Sequence, residues 1–550
     1  MVRICRHHLA KRYRLAEMAL PPPVHPHRHL SPPFFFNNFI NFPVISSVIS
    51  PFLRHLAPLL NFYGKHSPFY FIFTKILHMF PIAGRLPEQQ IMYQLLRSDR
   101  SEFLAIYGRR RIGKTFLVRN VYKFDLAFQM TGMADVPTRQ QLANFASALR
   151  SADPDDPGEI NPTNWFNAFE LLRRFLEKNE RDKKVVFFDE LPWLDTRHSN
   201  FLSALEHFWN AWASARTDII LVVCGSAASW MINKLINNRG GLHNRVTKRI
   251  CLQPFTLEET ETFFQNKNIE LDRYQIVQLY MAMGGIPFYL NEIQPGRSAF
   301  QEIDRLCFSP GGILANEYAN LYRSLFNTAE SHMTIVETLA ENSKGMTRAA
   351  IILASGLSNG GHTTKALLEL EESGFITRVH PFEKKVKEAV FRLSDQYSLF
   401  YLKFMKDKKA FGHGSWLSRL DSPAWRAWSG LAFENICFMH IDNIKKALGI
   451  EGVYSEISAW SNAEKGVQID LLIDRRDHVI SICEIKFSRD PYSITKSYKQ
   501  ELERKISAFR TTAKTRKTTF LTMLTPFGLE QNKYSIGFVQ NTVTMEDLFD

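Results

Sequence analysis

The stretch "SEFLAIYGRRRIGKTFLVRNVY", residues 101–122, constrains the chain more than any other. An apolar strand runs into Gly108-Arg109-Arg110-Arg111-Ile112-Gly113-Lys114-Thr115, and a helix pattern follows at once. Glycines at the first and sixth positions of that octet let backbone amides converge on a phosphate at the helix N-terminus. In such a loop the Lys114 ammonium reaches the β- and γ-phosphates, and the Thr115 hydroxyl serves Mg²⁺. The flanking strand and helix distinguish this from a basic surface loop.

A second strand supports that reading. "KKVVFFDELPWLD", residues 183–195, is a continuous apolar run of the kind buried on both faces, ending in Asp189-Glu190. At that strand end Asp189 can hold Mg²⁺ through water, and Glu190 can polarise an attacking water. An amphipathic helix, "SNFLSALEHFWNAWAS", precedes the strand "DIILVVCGSAASW", where Ser226 sits within reach of a terminal phosphate. Arg239, Arg245 and Arg249 lie ahead of a further strand, and any of them is a candidate arginine finger toward a neighbouring subunit.

Four pieces together resemble the archaeal-type P-loop ATPases of prokaryotes, relatives of AAA+ and of the signalling STAND NTPases. They are "PIAGRLPEQQ", "IYGRRRIGKTFL", "VVFFDELPWLD" with "CGSAASWM", and "MGGIPFYL". The resemblance covers roughly residues 80–405. It implies ATP and Mg²⁺ as cofactors, a parallel sheet with helices on both faces, and a helical lid. It also places Gly84-Arg85 near the adenine and implies that Gly285-Ile286-Pro287 closes the lid over the nucleotide. Leu86 stands where the family usually has a glutamate.

Residues 331–395 read as three short helices and then two strands around a charged turn, the order of a winged helix-turn-helix. Its third helix would present His362, Thr363, Thr364 and Lys365 to DNA. The same helix carries Glu369, Glu371 and Glu372, which repel phosphates. A structural or interdomain role therefore competes with DNA contact.

The last stretch poses a separate problem. "GVQIDLLIDRR" and "HVISICEIKFSRD" are apolar strands that place Asp470, Glu484 and Lys486 among Ile, Leu and Val, where charge is costly without a partner. Thirteen residues separate Asp470 from Glu484, enough for two strand halves and a turn. Glu484 and Lys486, two apart, share one strand face. An upstream helix, "SPAWRAWSGLAFENICFMHIDNIKKALGI", carries Glu434. The order helix, strand, strand, strand, helix with these charges resembles the PD-(D/E)xK nuclease core. That resemblance implies Asp470 and Glu484 as Mg²⁺ ligands, Lys486 positioning water, and Glu434 as a further ligand or orienting group. In such a nuclease the basic residues Arg489, Lys496, Lys499, Arg504 and Lys505 would track a phosphate backbone and Tyr498 would contact a base or sugar, or the segment would simply form a solvated face.

Composition adds limits. The net charge of +13 is uneven, since residues 1–78 hold nine Lys and Arg against one acid, leaving little excess elsewhere as a polyanion signal. Those residues also hold ten of the 25 prolines and eight of the 17 histidines, without a sustained helix or strand period. They read as a disordered tail, a divergent small domain or, preferentially, sequence upstream of a true start at Met79. Six scattered cysteines, with no metal-ligand spacing and no credible secretory signal, read as reduced thiols in a cytoplasmic protein. No apolar run reaches the roughly 18 residues of a membrane span.

The expected organisation is an extension (1–78), a P-loop core (79–255), a helical lid (256–330), a winged-helix-like domain (331–400), a linker (401–422) and a restriction-endonuclease-like α/β domain (423–550). The expected function is an ATP-hydrolysing enzyme acting on nucleic acid, DNA rather than RNA, through a fused Mg²⁺-dependent nuclease-like domain, with homo-oligomerisation possible. Two rivals remain: a STAND-like switch whose last domain is an inactive binding module, and a DNA-loading or remodelling ATPase.

Overall fold

The computed structural model describes residues 82–550 apart from 155–159, 238–239, 327, 343, 383–387, 407–413 and 463. The expectations for residues 1–78, the Met79 start and Arg239 lie outside the described residues.

Five strands form the first sheet: β1 (Glu102–Tyr107), β2 (Leu126–Thr131), β3 (Lys184–Asp189), β4 (Ile219–Gly225) and β5 (Lys248–Cys251). Their spatial order is β2-β3-β4-β1-β5, and every pair is parallel. β3 and β4 are buried along their whole length, which is why both read as unbroken apolar runs. Alternate residues face opposite sides. Leu104, Ile106, Val185, Phe187, Ile220 and Val222 enter one apolar cluster, while Phe103, Ala105, Val186, Phe188, Leu221 and Val223 enter the other. The second cluster is sealed by the helices Thr138–Ala152, Trp165–Lys178 and Phe201–Ala211. The first continues out of the core through the following helices to one face of the last sheet, whose other face has a separate cluster around Trp460, Ile469 and Phe509.

The segment expected to form the lid begins with helix Leu257–Asn266, fixed by a capping box in which Thr256 accepts from the Glu259 amide and Glu259 reaches back to the Thr256 amide. Helix Arg273–Met283 follows, then the turn at Gly285, where any Cβ would come within 2.0 Å of the Phe255 carbonyl oxygen. Only glycine permits that approach, and the Phe255 amide donates to the Gly285 carbonyl at 2.6 Å across it.

Helices Ala329–Ala340, Arg348–Ser355 and Gly361–Glu372 are followed by an antiparallel sheet ordered β6-β8-β7, made of β6 (Met346–Thr347), β7 (Ile376–Val379) and β8 (Val390–Leu393). Residues 414–422 differ from a loose linker. Trp416 is buried, stacked on Phe308 at 6.0 Å, and the Gly414 and Trp416 amides both donate to Asp304. Trp416 drives this, since an exposed Trp would forfeit its large burial gain.

The last sheet is mixed, ordered β13-β12-β11-β10-β9. β9 (Ser455–Asn462), β10 (Val467–Arg475) and β11 (Val479–Ile485) pair antiparallel. β12 (Thr518–Leu524) and β13 (Asn541–Val543) add in parallel. Helix Lys496–Ala513 makes the β11–β12 crossover that a parallel pair requires. Helix Pro423–Met439, capped by Ser422, packs on the other face.

Candidate functional site

The P-loop is tightly hydrogen-bonded. Gly113 sits at φ +90°, a conformation costly for any side chain. The helix Lys114–Val121 starts directly after it. Lys114 is buried, and its Nζ donates to the carbonyls of Gly108 and Arg109 at 2.9 Å and to Ser226 Oγ at 3.0 Å. Ser226 Oγ in turn donates to Glu190 Oε1 at 2.6 Å, and its amide donates to Glu190 Oε2 at 3.1 Å. Thr115 Oγ1 donates to Asp189 Oδ2 at 2.7 Å. Burial lowers the Lys114 pKa, opposed by Glu190, and burial raises that of Asp189, opposed by the Thr115 bond. The residues expected to act together from three strand ends are thus one connected network. Glu190 adopts φ +48°, an uncommon backbone for a glutamate.

The three P-loop arginines diverge. Arg109 is buried against Asp395, with its guanidinium 4.7 Å from the Phe375 ring centroid. Arg111 pairs with Glu317 and lies over Phe288, whose amide donates to the Arg111 carbonyl. Pro287 opens that same helical turn, so the Gly-x-Pro element abuts the P-loop from the lid side. Arg110 instead lines a cavity of about 690 Å³ together with Glu190, Ser226, Arg323, His362 and Lys365. Arg323 carried no sequence signal. Arg245 is exposed and does not line this cavity, and Arg249 sits within β5 rather than ahead of it.

Arg85 also differs in its surroundings. Its guanidinium donates to the Gln253 carbonyl at 2.6 Å and lies over Phe255. Glu259 of the lid helix accepts from the Arg85 amide at 2.6 Å and faces its guanidinium at 3.7 Å, while Leu86 is exposed. The carboxylate beside Arg85 thus comes from the lid, 174 residues away in sequence.

The helix Gly361–Glu372 is turned toward the ATPase core. Ser229 donates to Glu372, Glu369 pairs with His332 at 2.9 Å, and Glu371 pairs with Arg378. Thr363 is buried and bonded to the Ser358 carbonyl, and Thr364 accepts from Arg348. The acids that would repel a phosphate backbone serve structural contacts.

In the last domain Glu484 is buried, and its carboxylate accepts from Lys486 (2.9 Å), Lys505 (2.9 and 3.0 Å) and the Tyr498 hydroxyl (2.8 Å). Burial alone would raise its pKa, but Lys486 and Lys505 bring it below the usual range. Asp470, on the neighbouring strand, accepts from the Ile485 amide at 3.2 Å. Burial first, then Glu484 and Glu434, push its carboxyl up to about 7. Glu434 Oε2 accepts from Arg392 at 2.8 Å. It shares with Lys486, Gln468 and Arg426 a cavity of about 310 Å³. Tyr498 and Lys505, expected to face nucleic acid, face Glu484 instead. Their spacing of seven residues puts them on one helix face, the signal that could have shown this.

The oxygen-rich pair Thr115–Asp189 fits a hydrated Mg²⁺ by donor chemistry. Asp470 and Glu484 offer the right donor type, but both Glu484 oxygens already serve ammonium and phenol donors. Among the described residues, no group of three His, Cys, Asp or Glu side chains is gathered to hold a metal.

Residues 85–293 match the family model described as an ATPase domain predominantly from Archaea. A protein of Methanocaldococcus jannaschii, the uncharacterized protein MJECL04, is 23% identical over 410 residues, spanning 74% of this chain and 87% of its own length. Among solved structures, the Walker-type ATPase PABY2304 of Pyrococcus abyssi is similar at TM-score 0.43 and 15% identity, covering 58% of this chain and 96% of that one. The Aeropyrum pernix ORC2 protein gives TM-score 0.38 and 14% identity, covering 58% and 93%. Both TM-scores are below 0.5. No helix among the described residues is long and apolar enough to cross a membrane.

Proposed function

We propose that this chain hydrolyses ATP with Mg²⁺ at the P-loop. The observation that carries the reading is the unbroken network Lys114–Ser226–Glu190, beside the Thr115–Asp189 pair. Lys114 gives up its bonds to the Gly108 and Arg109 carbonyls and turns them to the phosphates. Thr115 and Asp189 would hold the cation, which when bound would supply neutralising charge to the phosphates. Glu190, anchored by Ser226, takes up the attacking water, and Ser226 ties that carboxylate to the lysine. Arg110 and Arg323 add positive charge to the cavity on the same side. Phosphate release from ATP by full-length protein, absent in Lys114→Ala and in Glu190→Gln, tests this. Equal turnover in all three proteins would end the reading.

The last domain is read as a metal-dependent nuclease-like module acting on DNA. Asp470, Glu484 and Lys486 lie together on β10 and at the end of β11, with Glu434 beside them, which supports this. A cation there would be held by Asp470 and Glu484 and would activate water for phosphodiester attack. Lys505 and Tyr498 must first yield the Glu484 oxygens. That same saturation favours the second reading, an ATP-driven switch whose last domain only binds a partner. Plasmid and single-strand cleavage with Mg²⁺ or Mn²⁺, beside Lys486→Ala, separates them. Cuts lost in the variant support the nuclease, and no cuts from protein that hydrolyses ATP support the switch.

A further inference from the structure

Five consecutive residues, Arg392 to Gln396, touch both charged sites. Asp395 pairs with Arg109 of the P-loop, and the two side chains are only 3% and 4% exposed. Two other guanidinium nitrogens of Arg109, Nε and Nη2, have no hydrogen-bond partner among the described residues. A buried cation so sparsely satisfied depends on its carboxylate, and separating the pair is costly. Asp395 is itself fixed, because its second oxygen caps helix Gln396–Phe404 by accepting from the Ser398 amide at 2.9 Å.

The neighbours of Asp395 grip the helix Pro423–Met439 at three places. Arg392 donates to Glu434 at 2.8 Å, and its side chain is nearly buried. Asn435 donates to the Leu393 carbonyl at 3.0 Å, and Gln396 donates to the Ala432 carbonyl at 2.9 Å. Displacing Asp395 therefore displaces the anchor of Glu434 in the last domain.

The P-loop contains the trigger. Lys114 holds the Arg109 carbonyl, and a bound phosphate competes for that ammonium. Residue 109 thus loses a backbone bond when nucleotide enters, while its side chain stays tied to Asp395. We propose that Arg392 to Gln396 link the nucleotide site to Glu434, with Asp395 as the positioning residue on the nucleotide side and Arg392 on the other. The inference rests on the ATP-binding reading above and does not require that the last domain cleave anything.

Hydrogen–deuterium exchange on the full chain, with and without a slowly hydrolysed ATP analogue and Mg²⁺, tests the link. In the wild-type protein the analogue protects residues 108–121 and also changes exchange across 423–439. Arg392→Met removes the second change and keeps the first. Asp395→Asn alone strands a buried guanidinium and risks unfolding, so the second variant leaves that pair intact: Arg392→Met with Gln396→Met removes two of the three grips on helix Pro423–Met439. That variant also loses only the remote change. A protected P-loop with exchange at 423–439 unmoved in the wild type would overturn the link. So would a remote change that survives in both variants. Failure of the analogue to protect residues 108–121 would overturn the ATP-binding reading itself, and the link with it.

Discussion

The two charged sites of this chain solve the same problem in opposite ways. In the P-loop, the buried Lys114 ammonium is satisfied by two backbone carbonyls and a hydroxyl, none of them charged. In the last domain, the buried Glu484 carboxylate is satisfied by two ammonium groups and a phenol. The first arrangement is easily exchanged for a phosphate, because leaving neutral acceptors costs little. The second is an ion cluster, and drawing one member out leaves the others buried with uncompensated charge. The two sites thus differ in the charge of their resting partners.

Lys114→Ala sharpens the contrast most. It should reduce ATP turnover by about 10³-fold or more, read by phosphate release, because its charge acts chiefly in the transition state. Stability should change little, since only neutral acceptors lose a partner. Glu484→Ala should do the reverse, costing about 3–5 kcal/mol in chemical denaturation by stranding Lys486 and Lys505. Pairing it with Lys505→Met should recover part of that loss, and no recovery would break the ion-cluster account. Ser226→Ala should lower ATP turnover by about 10–100-fold with nucleotide affinity nearly unchanged, because Glu190 loses its anchor. A change in affinity alone would place Ser226 in binding instead.

The smallest effect concerns the far edge of the first sheet. Burial works against the Asp218 charge, but Arg216 at 2.6 and 2.7 Å and Lys184 pull its pKa down to about 2. A depressed carboxyl stabilises the fold above its unfolded pKa of about 4 and loses that contribution as pH falls toward 2. Asp218→Asn should therefore cost roughly 1 kcal/mol at pH 7, allowing for solvent screening, and nothing near pH 2. Thermal melts across that range would show a gap that narrows on acidification. A constant gap would mean packing, not charge.

The sequence made the P-loop site legible because strand, octet and helix are contiguous, and because β3 and β4 carry the apolar signature of strands covered on both faces. The helix and strand order around Asp470 and Glu484 was legible for the same reason. What escaped were partners set by tertiary packing. Asp395 meets Arg109 across 286 residues, and Glu259 meets Arg85 across 174. No local period records such pairings. The direction of the three P-loop arginines was equally hidden, since adjacent positions on a loop have no fixed face. Lys505 was partly readable, being two helical turns from Tyr498, but its target lay on another element.

The first apolar cluster has a consequence for how this chain can change over evolutionary time. It begins under one face of the parallel sheet, at Leu104 and Phe187, runs through Tyr280 and Phe308, and ends at Leu524 and Phe549. The later segments are therefore not beads on a string. Any recombination event that exchanged the last domain would have to recut the lid beneath it. A protease nick in the middle would uncover greasy surface on both fragments.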